Sequence, residues 1–172
     1  MPRAIEGRRV RWIFVDKLIE CDPGRRLVAV KTFPRSDLMF LDHFPGLPRV
    51  PGVLQVEMIA QAAGKCVRLA RPGVRTLLGA VRSAKFIRPV EPGDRCRITV
   101  EIVKLREQFA MACGTIDVEG IKASTAELLM AIVPEIRPEP SGQDPIVEEW
   151  KQSQGVTREH DPLDERVAAV AD

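Results

Sequence analysis

Aromatic residues are scarce in this chain, 5% of 172 residues. Its basic residues Arg8, Arg9, Arg11, Arg25 and Arg26 are not interleaved with rings. Single-stranded nucleic acid is gripped by cations alternating with stacking surfaces, so this composition argues against a nucleic-acid partner. No apolar run approaches the roughly 20 residues that cross a bilayer, so no membrane association is expected. The basic opening stretch, Met1 to Arg11, is not followed by the apolar run and small residues of a signal peptide. Cysteine is limited to Cys21, Cys66, Cys96 and Cys113, without a C-x-x-C pair and without histidine at zinc-ligand spacing. We therefore expect no metal site, buried free thiols and a reducing, cytoplasmic location.

What is present reads as one globular domain with an extension. Apolar residues make up 45% and charged residues 29%, enough apolar material at this length for a full core. The net charge of +2 conceals an asymmetry. Residues 1–134 carry 22 basic and 14 acidic side chains, a balance of +8; residues 135–172 carry 4 basic and 10 acidic, a balance of −6. A basic body suits an acidic partner. The acidic, proline-containing tail from 135 to 172 has too few large apolar residues for a core of its own. It is expected to be dispensable for folding and to compete with an acidic partner for the body.

Val10 to Glu20 is apolar and β-branched, and Arg25 to Phe33 alternates with period two; Asp22-Pro23-Gly24 between them predicts an antiparallel pair. Pro34 to Pro51 is too rich in proline and glycine for long regular structure. Gly52 to Leu69 is apolar nearly all round at helical spacing, with Pro51 suited to the first turn, and predicts a buried helix. Strands are expected over Thr76 to Val90, bent near Ser83, then Arg95 to Leu105, Gln108 to Val118 and Ile121 to Val133, the last two joined by the hairpin signal Glu119-Gly120. Arg137 to Gly142 reads as a linker, followed by short helices over Ile146 to Ser153 and Leu163 to Val170. The pattern is α+β, one helix against a long antiparallel sheet.

His43 and Glu57 carry the chemistry. A lone loop histidine would most simply make an ordinary hydrogen bond, and a helical glutamate would face solvent. Glu57, however, sits in a helix fit for burial, where a carboxyl is costly unless paired or protonated. Gln61, four residues on, shares its face and can hold the carboxyl. Gly52 opens the helix with an outward N–H at the positive end of the dipole, suited to polarising a carbonyl oxygen. A neutral histidine can take a proton beside such a carbonyl, and a glutamic acid can return one.

The segment HFPGLPRVPGVLQVEMIAQAAG resembles the signature of the bacterial 3-hydroxyacyl-acyl-carrier-protein dehydratases of the hot-dog fold, the FabZ group and its FabA relative. FVDKLIE and KFIRPVEPGD resemble flanking pieces of the same family, so the resemblance spans about residues 10 to 133. The glutamate at position 57, where FabA carries aspartate, points to the FabZ branch. The resemblance implies a curved antiparallel sheet wrapped around a central helix. It also implies a dimer whose active site takes the histidine from one subunit and the acid from the other. His43 then corresponds to the base, Glu57 to the acid, and Gly52 to the donor to the thioester carbonyl; Phe44 and Gln61 complete the substrate-binding set. No cofactor is implied, since the substrate, delivered by an acyl-carrier protein, brings its own phosphopantetheine arm. A homodimer is implied, with a trimer of dimers left open. Asp42 departs from the family's usual glycine before the histidine, and Arg11-Trp12 from a proline-containing segment.

Two other functions stand beside dehydration. Another hot-dog thioester enzyme, a thioesterase or isomerase, is open because fold does not fix reaction; the presence of both His43 and Glu57 argues against it. A non-catalytic acyl-carrier-binding subunit is kept open by Asp42.

Overall fold

A computed structural model describes residues 12–135 and 144–154. Six strands form one antiparallel sheet: β1 (Lys17–Asp22), β2 (Arg26–Thr32), β3 (Val74–Phe86), β4 (Arg95–Leu105), β5 (Phe109–Val118) and β6 (Ile121–Pro134), in the order β1-β2-β4-β5-β6-β3. A four-residue helix, α1 (Met39–Asp42), interrupts the proline-rich stretch, and α2 (Gly52–Ala70) follows it. A third helix, α3 (Pro145–Ser153), comes after the sheet. The second helix expected in the tail, Leu163 to Val170, lies outside the described residues.

The core lies between α2 and the face of the sheet that curves around it. Met58, Ile59, Ala62, Ala63, Cys66 and Val67 of α2 are buried. Strands β4 to β6 answer with alternating buried positions, among them Ile98, Val100, Ala112, Ile116, Leu128 and Met130, as a half-buried sheet requires. Gly114 permits the closest approach. A Cβ there would lie 2.2 Å from Ile59 Cγ2, so only glycine lets the helix sit this near β5. The Glu119-Gly120 hairpin forms with φ of 53° and 75°, the two positive values of a type I′ turn.

Three differences from the sequence reading matter. The first strand begins at Lys17, not Val10. Ahead of it, Phe14 N–H donates to Gln61 Oε1 at 2.9 Å and Trp12 C=O accepts from Gln61 Nε2 at 3.0 Å; a side chain of α2 takes the bonds that a neighbouring strand would otherwise make. Pro51 is the residue capping α2 rather than its first helical residue, its carbonyl accepting from Leu54 and Gln55. The chain beyond Pro134 is also tied to the body. Val147 is 4% exposed within the main core cluster, and Ile146 and Trp150 pack against it. Asp144 caps α3 by accepting from Ile146 N–H at 3.1 Å, with Pro145 in the first turn, so residues 144–154 are held where little buried area was expected.

Strand β3 differs from its neighbours. It borders only β6 and forms an edge, and Leu77, Leu78, Val81 and Phe86 on it are exposed. Its pairing shifts register twice, between Leu78 and Ala80 and between Val81 and Ser83; the expected bend near Ser83 is the second of these.

Candidate active site

Glu57 stands on the second turn of α2, half-buried, with its Oε1 accepting from Gln61 Nε2 at 2.9 Å. The expected i,i+4 pair is therefore formed. Gln61 spends its amide entirely on protein partners, so it holds the carboxyl rather than offering free polar atoms. Glu57 and Gln61 line a cavity of about 410 Å³ running between α2 and β3, with Trp12, Gly64, Leu77 and Leu78 on its walls.

His43 lies just after α1. Its N–H donates to Met39 C=O at 3.1 Å and its carbonyl accepts from Arg49 N–H at 2.9 Å, which fixes the loop by backbone bonds around a half-buried residue. The neighbouring Phe44 is 52% exposed, with its ring centroid 4.1 Å from that of His43. Phe44 and Leu47 close the HFPG turn by exchanging backbone bonds, 3.2 and 2.9 Å. Neither His43 nor Phe44 lines the Glu57 cavity.

Gly52 is the first residue of α2, where a backbone N–H has no acceptor within the helix. It lines a second cavity, of about 500 Å³, with Val53, Gln55, Phe86 and Ile87. A Cβ at position 52 would meet the Phe86 ring at 2.8 to 3.0 Å, so glycine lets this ring close over the helix end. Gln55 is buried beside it; its Nε2 donates to Val50 C=O at 3.3 Å while its Oε1 has no partner. Within one chain the expected constellation is thus split: Glu57 and Gln61 in one cavity, Gly52 in another, and His43 with Phe44 outside both.

The sequence profile of the ApeI-like family, described as ApeI dehydratase, matches residues 20–124. A 3-hydroxyacyl-[acyl-carrier-protein] dehydratase FabZ from Clostridium acetobutylicum is 38% identical over 127 residues, covering 73% of this chain and 90% of that protein. Another from Geotalea uraniireducens is 40% identical over 125 residues, covering 70% and 86%. The chain belongs to the FabZ-type hot-dog dehydratase family. Solved structures bear out the hot-dog fold. "The Dehydratase Heterocomplex ApeI:P from Xenorhabdus doucetiae" aligns with a TM-score of 0.54 at 19% identity, over 67% of this chain and 99% of that one. The smu.793 protein of Streptococcus mutans, bound to acetyl CoA, aligns with a TM-score of 0.57 at 13% identity, over 77% and 99%.

Several features of this hot-dog dehydratase's cavity were not legible in advance. Beyond Gln61 the cavity becomes charged. Lys65, with a side chain only 10% exposed, pairs with Asp144. Glu135 accepts from Arg68 at 3.3 Å and from Arg75 at 3.2 Å. Lys65 inside an apolar helix was the available signal, and Asp144-Pro145 was a cap-and-proline pair. Among the described residues no cluster of His, Cys, Asp and Glu is arranged to hold a metal, and no helix is long and apolar enough to cross a membrane.

Proposed function

We propose that this protein dehydrates (3R)-3-hydroxyacyl thioesters, carried on acyl-carrier protein, to trans-2-enoyl thioesters in fatty-acid or related acyl-chain synthesis. The observation that carries the reading is Glu57, a carboxyl held by Gln61 in an elongated cavity of a chain that belongs to a dehydratase family. His43 takes the proton from C2, and the electron pair moves toward the thioester carbonyl. The Gly52 N–H steadies the charge gathering on that oxygen. As the C2–C3 double bond forms, the C3–O bond breaks, and Glu57 gives its proton to the departing hydroxyl, which leaves as water. The proton on His43 returns to Glu57 through solvent, so neither residue is changed over a cycle. Phe44, its ring 4.1 Å from that of His43, borders the substrate beside the base. Nothing in this route needs a cofactor, since the phosphopantetheine arm belongs to the substrate.

The site is completed by a second copy of the chain. Two observations support a homodimer: within one chain His43 does not line the cavity that holds Glu57, and the edge strand β3 carries exposed Leu77, Leu78, Val81 and Phe86. An apolar edge that lines the Glu57 cavity on one side suits pairing with its own copy. A trimer of dimers is compatible with this arrangement. A cytoplasmic location fits four cysteines present as free thiols. Incubation with a (3R)-3-hydroxyacyl carrier-protein substrate tests the function: enoyl absorbance with loss of one water by mass spectrometry is the expected result, and release of free acid would favour a thioesterase instead.

A further inference from the structure

We infer that Glu135, Asp144 and Pro145 form a polar end wall in the Glu57 cavity and limit the length of the acyl chain that this enzyme accepts. The inference rests on the dehydratase reading for the direction in which substrate enters. The cavity begins at Glu57 and Gln61, where the reacting carbons must lie, and continues along one face of α2 past Gly64 to Lys65 and Arg68. Lys65 is eight residues beyond Glu57, which places it about 12 Å further along the helix. The first part of this path is apolar or small, with Ala60, Gly64, Leu77, Leu78 and Met130 on its walls.

The far part is different in kind. Lys65 and Asp144 pair across it with side chains 10% and 19% exposed, and Glu135, 11% exposed, joins Arg68 and Arg75. Pro145 closes the same end. Both acids and the proline come from beyond residue 124, where the match to the family profile stops. Asp144 is anchored twice, to Lys65 and to Ile146 N–H, and α3 behind it is pinned by buried Val147. The wall is therefore part of the packed structure.

A methylene chain reaching this wall meets mainly charged side chains. Passing it would break the Lys65–Asp144 pair, which is largely shielded from water, and leave its charges unpaired, which costs more than burying further methylenes returns. Chain length is then set by where the cavity turns from apolar to charged, near Lys65.

The test uses saturated acyl-pantetheine thioesters of four, eight, twelve and sixteen carbons, which cannot be dehydrated, titrated by calorimetry onto the full chain. The matching 3-hydroxyacyl-pantetheine thioesters are used for turnover. In the wild type, affinity should rise from four to eight carbons and be flat or falling from twelve to sixteen. In the double variant Lys65→Ala/Asp144→Ala, the sixteen-to-eight-carbon affinity ratio should increase by about tenfold or more, in line with several more buried methylenes. Glu135→Ala, which opens the wall from its other side, should move the ratio the same way and serves if the double variant does not fold. Wild-type affinity climbing steadily to sixteen carbons, or an unchanged ratio in a folded variant, would overturn the end wall. A length limit in binding without turnover of any 3-hydroxyacyl chain would sink the dehydratase reading and leave the wall in place; turnover with no length limit would do the reverse.

Discussion

Gln61 serves three partners with one amide: it accepts from Phe14 N–H and donates to Glu57 and to Trp12 C=O. The acid is thereby fixed relative to the segment ahead of β1. Gln61→Leu should lower kcat by roughly tenfold with a smaller change in KM, because it loosens a proton donor without removing it; a pure KM effect in steady-state kinetics would mean that Gln61 binds substrate instead. His43→Ala and Glu57→Gln should each reduce turnover at least about a hundredfold, with circular dichroism unchanged, and near-normal turnover of either would end the assigned roles. The thiols report on the packing. Burial, helped by Asp94 and Asp16, pushes the Cys96 thiol up to about 12, and a hydrogen bond to Cys66 and burial push Cys21 up as well. Cys113 is exposed. At pH 8 Cys96 is protonated as well as covered, so iodoacetamide mapped by mass spectrometry should label Cys113 at least about tenfold faster; equal rates would show an open core. The Glu57–Gln61 bond could be read from the sequence because its members are four positions apart on one helix. Lys65–Asp144 could not, since its partners are 79 residues apart and look like ordinary surface charges until the chain folds.

Strands β2, β4, β5 and β6 were legible to within a residue or so because period-two patterns and proline-glycine turns bound them tightly. The first strand was misjudged at its start because its β-branched residues suit any extended backbone, whether a strand or a side chain of α2 supplies the bonds. Residues 144–154 were misjudged because few large residues were taken to mean little packing, whereas α3 needs only Val147, Ile146 and Trp150 to share an existing core. Val147→Ala should therefore cost about 2 kcal/mol of unfolding free energy, measured by urea denaturation; no loss would return residues 144–154 to the status of a detachable tail. At the centre of the sheet, Gly114→Ala should cost about 1–3 kcal/mol by driving Ile59 off β5.

At the scale of the whole molecule, the proposed pairing of His43 with a Glu57 whose cavity it does not line predicts assembly. Inactive His43→Ala and Glu57→Gln proteins, unfolded and refolded together, should recover part of the wild-type activity, because a mixed dimer brings one intact histidine to one intact glutamate. No recovery despite demonstrated subunit exchange would mean that each chain holds its own site. The charge asymmetry seen in the sequence does not by itself locate a carrier surface, because part of the acidic segment is spent on Lys65, Arg68 and Arg75. The two register shifts in β3 bear on which assemblies are permitted. A long, flat, apolar border would zip onto any extended peptide that it met, a route to aggregates. A border interrupted at Leu78/Ala80 and again at Val81/Ser83 is twisted and out of step with a regular strand. In the homodimer proposed above, the strand that meets it is one bent at the same places and running the opposite way, another β3, so these irregularities would work as a password that an identical chain carries and a stray peptide lacks.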